Sequence, residues 1–149
     1  MQLKRFYLFN YHLFKGNEIG ALFGYWIWYC FKLKHKAEIE ADPGFVKSAY
    51  MLYSTVSSQI LKSISEKEGF MCEDTLTGFK WMGNRAHDLL KQDKKILFCF
   101  EEAIGFLCSN NVLDKDGVSA EAIMAEMAVY FNAVEKRTLI EQLNWIYDK

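Results

Sequence analysis

The run Ile96-Leu97-Phe98-Cys99-Phe100, set directly behind the charged turn Asp93-Lys94-Lys95, narrows the possible folds more than any other feature of this sequence. It is too short for a buried helix and has no polar alternation, so it suits a central strand covered on both faces. The segments before it fall into step. Ala49 to Tyr53 reads as a short strand, and Thr55 to Lys67 as a helix with Val56, Ile60, Leu61 and Ile64 on one face and Gly69 as its stop. Phe70 to Leu76 reads as a second strand, and Phe79 to Gln92 as a helix whose Ala86, Leu89 and Leu90 face inward. Two further helices are expected over Val118 to Phe131 and Thr138 to Tyr147. Strand, helix, strand, helix, strand is the pattern of parallel pairing with right-handed crossovers. The expected fold class is α/β, a three-layer sandwich with a small, mainly parallel mixed sheet.

Ahead of this pattern lies a helix expected from Asn17, its N-cap, to about Lys34. It is apolar nearly all round (Ile19, Leu22, Phe23, Trp26, Ile27, Phe31), so it needs cover on more than one side. Its apolar core from Gly20 to Phe31 is shorter than the roughly 20 residues that a bilayer span takes. The polar stretch from Lys34 to Lys47 holds the only proline, Pro43, followed by Gly44, and reads as a linker or surface loop.

Composition removes several function classes. The formal net charge is −1 and arginine occurs only at positions 5, 85 and 137, which leaves no basic surface of the kind nucleic acid requires. Cys30, Cys72, Cys99 and Cys108 form no C-x-x-C pair, and three of them sit in apolar runs. A reducing, cytoplasmic setting is the simplest expectation. His12, His35 and His87 are scattered, with no zinc spacing.

In an open α/β sheet, ligands bind beyond the carboxyl ends of the strands, so the residues after each strand are the candidates. The first strand is followed by Thr55-Val56-Ser57-Ser58, hydroxyls placed either to cap a helix or to hold an anion at its start. The second is followed by Thr77-Gly78-Phe79-Lys80-Trp81, either a plain turn with a solvated lysine or a cation beside aromatic rings. The third is followed by Glu101-Glu102-Ala103-Ile104-Gly105. Adjacent carboxylates after a buried strand need partners, either a structural salt bridge or the hydroxyls of a sugar. Asp114-Lys115-Asp116-Gly117 fails as a calcium loop, because Val112 and Ile123 stand where acids are required, and a helix cap with a flanking lysine is the alternative. Together these loops suit a hydroxylated, phosphorylated ligand.

The same segments, in the same order, carry a resemblance. Gly16-Asn17-Glu18-Ile19-Gly20, Thr55-Val56-Ser57-Ser58, Thr75-Leu76-Thr77-Gly78-Phe79-Lys80-Trp81-Met82-Gly83-Asn84, Phe100 to Gly105 and Leu113 to Ser119 resemble the α-D-phosphohexomutases over about residues 14 to 149, closest to the eukaryotic phosphopentomutase and glucose-1,6-bisphosphate synthase branch. The resemblance implies a divergent segment over 1–13, a helix over 14–36 from the end of the second mutase domain, a linker over 37–47, and the third, sugar-binding mutase domain over 48–149. It implies substrate contacts from Glu101, Glu102, Ala103, Gly78, Phe79, Lys80, Ser57 and Ser58, with Lys115 as a proton donor. Ala103 stands where many relatives have serine, so one hydroxyl contact differs. The implied ligands are pentose or hexose 1-phosphates and sugar bisphosphates; the implied partners are the missing mutase domains, with no nucleic acid and no membrane. Magnesium is implied for the parent protein and not for this chain, which has no metal site of its own in the motif set. The Ser-His dipeptide of the family's phosphoserine loop, its Asp-x-Asp-x-Asp metal loop and its phosphate clamp are not found in the sequence. The chain by itself is therefore expected to bind without turnover. The alternative is a non-catalytic interaction module presenting a bare aromatic helix over Ile19 to Phe31.

Overall fold

The computed structural model describes residues 12–149. The N-terminal segment of the sequence reading lies outside them up to residue 11. Four strands form one sheet in the order β2-β1-β3-β4, with β1 (Ala49–Ser54), β2 (Met71–Thr75), β3 (Lys95–Glu101) and β4 (Gly105–Leu107). The β1–β2 and β1–β3 pairs are parallel, and β3–β4 is an antiparallel hairpin. The α/β sandwich with a mainly parallel mixed sheet is thus observed. β4 has no counterpart in the sequence reading: three apolar residues following Glu101 to Ile104 carry no alternation that marks a strand.

Alternation along β1 sorts the core. Met51 and Tyr53 face one side of the sheet with Phe98, Phe100 and Phe106; Tyr50 and Leu52 face the other with Ile96, Cys99 and Leu107. A register shift opposite Tyr50 and Met51 lets Leu97 and Phe98 both lie on the first side, so the apolar run of β3 fits the pleat with one extra residue. The second side is covered by α4 (Phe79–Leu90), which buries Phe79, Met82, Ala86 and Leu89 at i, i+3, i+7 and i+10. The first side is covered by α1 (Gly16–Lys34), α3 (Ile60–Glu68), α5 (Gly117–Tyr130) and α6 (Leu139–Asp148).

Helix α1 is the main cover, and its position corrects two expectations. It is not an appendage with a bare aromatic face: Leu22, Phe23, Trp26, Trp28 and Phe31 are buried in this core. Phe23 sets its ring edge-on to Phe98 and Phe106 at 5.9 and 5.2 Å between centroids. Trp28 Nε1 donates to Glu68 at the end of α3, and Tyr25, Trp26 and Tyr29 pack on Tyr130, Phe131 and Trp145. The surface on which the interaction-module alternative rested is therefore filled from within. The expected linker over 37–47 is ordered too, as α2 (Lys36–Ala41) and a 3-10 helix over Pro43–Ser48 that Asp42 caps through the Gly44 N–H. Its polarity reflects an exposed helix face, not irregular backbone.

Gly16, Gly20 and Gly24 lie every fourth residue along α1 and form one smooth stripe. A Cβ at Gly20 would stand 2.5 Å from the Phe100 ring, and one at Gly24 would stand 2.2 Å from Leu61 Cδ2. Among the described residues no helix is long and apolar enough to cross a membrane.

Two expectations follow. Gly20→Ala should raise intrinsic helix propensity by about 1 kcal/mol yet lower net stability by about 1–3 kcal/mol through overpacking against Phe100. Urea denaturation followed by tryptophan fluorescence decides it, and an unchanged or raised midpoint would contradict the packing described. The second concerns the thiols. Burial pushes Cys72 and Cys108 from 9.0 up to about 12, and the fully buried Cys99 also upward. A raised thiol pKa stabilises the fold below pH 9 and the contribution disappears as pH climbs towards 12. Stability measured across that window should fall, and Cys72→Ala should flatten part of the slope.

Candidate functional site at the strand ends

Because β1, β2 and β3 run parallel, Ser54, Thr75 and Glu101 end at one edge of the sheet and all three following loops share that rim. Neighbouring strand ends lie about 4.8 Å apart, so the β2 and β3 loops are separated by about 10 Å. The predicted residues divide into two groups along this rim.

The first group stands over β1 and β3. The chain leaves β1 through a turn closed by the Ser57 N–H donating to the Ser54 carbonyl at 2.8 Å. Helix α3 then starts at Ile60 and not at Thr55 as expected, because residues 55–59 are used to carry Ser57 back over the strand end. Ser57 is buried. Its Oγ accepts the Glu102 N–H at 2.9 Å, lies 3.0 Å from Glu102 Oε2 and 2.6 Å from Ser54 Oγ. Ser57 therefore does not offer a free hydroxyl at the rim, and Oε2 of Glu102 is held inward. Ser58 is half-buried; its N–H donates to Asn17 Oδ1 at 2.9 Å and its Oγ accepts the Ile60 N–H. Asn17 is thus not the cap of α1, as expected, but a tie between α1 and the β1–α3 loop. The first helical residue is Gly16, and Glu18 accepts the Lys15 N–H in its place.

Glu101 closes β3 opposite Gly105, and its carboxylate lies against that glycine, where a Cβ would stand 2.7 Å from Oε1. Among the described residues the Glu101 side chain accepts no hydrogen bond and joins no ion pair. Glu102, Ala103 and Ile104 form the hairpin tip, with Ala103 exposed. Ile104 takes φ 60°, the left-handed conformation usual for the third residue of such a loop but normally given to glycine. For a β-branched side chain this costs roughly 1–2 kcal/mol. Its side chain is 68% exposed, so no packing of its own offsets the strain. The tip is braced from behind by α1: a Cβ on Gly16 would fall on the Glu102 carbonyl oxygen.

The second group stands at the corner of β2 and α4. Gly78 has φ 107°, which an L side chain rarely adopts, and turns the chain into α4. Phe79 is buried at the first helical position, while Lys80 and Trp81 are exposed. Residues 113–115 pack on the same helix, since the Leu113 carbonyl oxygen would be 2.4 Å from a Cβ on Gly83. That contact brings Lys115 over the Phe79 ring, Nζ 5.5 Å from its centroid, and within 3.2 Å of Asp114 Oδ1. The Lys115 N–H and then its ammonium hold the Asp114 carboxyl below its ordinary range. Asp116 caps α5, accepting from Val118 and Ser119, so the cap alternative for this acidic segment is the one observed. Ser119 and then Val118 hold its carboxyl low as well. A shallow depression of about 370 Å³ opens beside this corner, lined by Phe79, Lys80, Asn84, His87 and Asp114. A second cleft of about 290 Å³, between α1, α3 and α6, touches none of the predicted residues.

Sequence reasoning missed Ser54 and the glycine stripe of α1. The Gly-x-x-x-Gly-x-x-x-Gly spacing was a readable signal for the stripe; nothing local marks Ser54. Among the described residues no group of three or more His, Cys, Asp or Glu side chains is placed to hold a metal ion.

Comparison with known proteins adds relatives to this geometry. Residues 16–149 match the family model described as phosphoglucomutase/phosphomannomutase, alpha/beta/alpha domain III. The chain is 54% identical over 139 residues to glucose 1,6-bisphosphate synthase of Mus musculus, covering 93% of this chain and 21% of that protein. It is 53% identical over 138 residues to phosphopentomutase of Homo sapiens, covering 93% and 22%. With phosphoribomutase of Saccharomyces cerevisiae it shares 46% identity over 111 residues, 74% of this chain and 17% of that one. Among solved structures, a protein of Thermus thermophilus assigned as a phosphomannomutase shares the fold with a TM-score of 0.66 at 19% identity, over 91% of this chain and 25% of that one. The chain spans about a fifth of the length of the curated relatives it matches.

Proposed function

The chain belongs to the phosphoglucomutase/phosphomannomutase family as its alpha/beta/alpha domain III, and from that premise we propose that it is the sugar-recognition unit of a phosphomutase acting on pentose or hexose phosphates. One observation carries the reading. Of the two adjacent carboxylates at the end of β3, Glu102 is engaged from within the fold, whereas Glu101 meets no donor of this chain's described residues and stands at the rim.

A carboxylate is an acceptor only, so an unpartnered one beside a shallow polar rim is matched to vicinal hydroxyls that each donate a hydrogen bond. The lysines of the second group supply the opposite charge. Lys80 and Lys115 attract the phosphate, and the role assigned to Lys115 is to exchange a proton with the sugar oxygen that gains or loses it. Gly78 and Phe79 shape that corner, with the Phe79 ring beneath the Lys115 ammonium. Holding both ends of the sugar phosphate lowers the entropy cost of aligning it for phosphoryl transfer. The reaction is the relocation of a phosphate on the sugar through a bisphosphate intermediate. The described residues do not fit a magnesium site, so no step assigned to this chain runs through that ion. We place its phosphoryl donor and metal in other domains of the family and the working protein in the cytoplasm.

Nuclear magnetic resonance titration of the chain with ribose 1-phosphate and glucose 1-phosphate tests the assignment. Shifts should cluster at residues 78–80, 101–105 and 115. Glu101→Gln should weaken binding about tenfold or more, the scale of one charge-assisted hydrogen bond of about 1.5–3 kcal/mol. Lys115→Met should weaken it less for free sugars than for their phosphates. Binding indifferent to Glu101→Gln would sink the proposal. Sustained magnesium-dependent turnover of glucose 1-phosphate by the pure chain would reject the separate expectation that it binds without catalysis.

A further inference from the structure

The geometry at the β1–β3 strand ends points to Ser57, backed by Ser54, as a positioning residue: we propose that it locks Glu102 inward and so fixes the direction in which Glu101 faces the ligand. The inference rests on Glu101 being the sugar contact, as proposed above, but the lock itself can be tested without ligand.

A hydroxyl has one proton and two lone pairs, and Ser57 has three partners within reach: it accepts the Glu102 N–H at 2.9 Å and lies 3.0 Å from Glu102 Oε2 and 2.6 Å from Ser54 Oγ. The Ser54 hydroxyl also stands 3.2 Å from Glu102 Oε2, so either serine can give its proton to that carboxylate while the other bonds its neighbour. Ser54 is 0% and Ser57 6% exposed, so a sugar hydroxyl cannot replace one of these bonds without leaving a buried group unpaired. The serine that the sequence marked as a ligand contact is consumed in holding the loop.

The loop has need of it. Two adjacent carboxylates repel each other, and a hairpin tip of three residues has few contacts that could tell one from the other. Ile104 sits in a strained backbone conformation at that tip. Such strain persists only where the surroundings over-determine it. Here the surroundings are the Ser57 ring of bonds on one side and the Gly16 contact on the Glu102 carbonyl on the other. β1 and β3 are direct neighbours in the sheet, so the lock crosses strands and ties the loop to the most buried part of the fold. With Glu102 turned in, Glu101 alone remains at the rim, already oriented before a ligand arrives. Preorganisation of this kind raises affinity by removing an ordering cost at binding.

The experiment uses the isotope-labelled chain as wild type and as Ser57→Ala, Ser57→Thr and Glu102→Gln. Without ligand, amide hydrogen exchange at Glu102 to Gly105 should quicken about tenfold in Ser57→Ala while β1 and β3 amides stay within about twofold, and Ser57→Thr should restore the wild-type rates. With ribose 1-phosphate, Ser57→Ala should raise the dissociation constant about fivefold or more, Ser57→Thr should recover it, and Glu102→Gln, which keeps an acceptor for Ser57, should stay within about twofold of wild type. Unchanged exchange at Glu102 in Ser57→Ala overturns the lock whatever the ligand does. Faster exchange with unchanged affinity overturns its role in positioning Glu101. Should Ser57→Ala not fold, Glu102→Gln decides: a loss equal to that of Glu101→Gln makes Glu102 a ligand contact and ends the proposal. A wild-type chain that binds no sugar phosphate refutes the function proposed above, and the exchange data still decide the lock.

Discussion

The approach of α1 to the sheet along its glycine stripe is the contact on which the rest of the structure depends. Gly16, Gly20 and Gly24 meet the Glu102 carbonyl, the Phe100 ring and Leu61 in turn, each closer than a side chain would allow. Two of them, Gly20 and Gly24, lie in the helix interior and cost roughly 0.5–1 kcal/mol each relative to alanine. The return is packing: with the helix backbone this near, Phe23 reaches between Phe98 and Phe106, and Trp28 reaches Phe70 and Glu68. This helix thereby becomes the main cover of that face of the sheet, with α3, α5 and α6 beside it. Its first turn also abuts the loop that carries the acidic pair, so the site draws rigidity from the core as well as from the Ser57–Glu102 bonds.

The second cover, α4, works differently. It buries a narrow stripe on the opposite face and leaves Lys80, Asn84 and His87 on its outer side. The β1-to-β2 and β2-to-β3 crossovers put α3 and α4 on opposite faces, while parallel pairing keeps the loops they begin from on the same edge. The loop before α5 is then drawn to that edge by the close contact at Gly83 and by the Asp116 N–H donating to the Phe106 carbonyl. Lys115 is thus fixed to the rim through backbone, while its side chain is held only by the exposed contact with Asp114 and the Phe79 ring.

Much of this is legible in the residues, and the failures share a cause. The β3 run stands out because five apolar residues behind a charged turn have few other uses. The positions of Gly78, Lys80 and Glu101 on one edge follow from parallel pairing alone. What cannot be read is which surface an element meets. An all-apolar helix looks alike whether it covers its own sheet or a neighbour, so α1 reads as facing outward. Asn17 and Ser57 each have the local pattern of a helix cap, yet each spends its hydrogen bonds on a residue 41 or 45 positions away. Helix α2 is hidden because every residue in it except Ile39 is polar or exposed, and Pro43 and Gly44 beside it read as loop. Local pattern reports the period of an element faithfully and its long-range partners hardly at all.

The distribution of charge along the rim argues for the kind of ligand. A plain anion would be served by Lys80 and Lys115 but opposed by Glu101. A neutral sugar would suit Glu101 and leave the lysines without work. A molecule with hydroxyls at one end and phosphate at the other satisfies both groups at once, and the roughly 10 Å between the β2 and β3 strand ends keeps the unlike charges from neutralising each other when the site is empty. Asp114 holds Lys115 through an exposed contact, which is the weak kind that salt and water readily screen. An incoming phosphate competes with it on favourable terms, whereas nothing at the rim competes for Glu102. On the proposed function, the groups assigned to the ligand are the loosely held ones, and Glu102, assigned no ligand contact, is the one tied down.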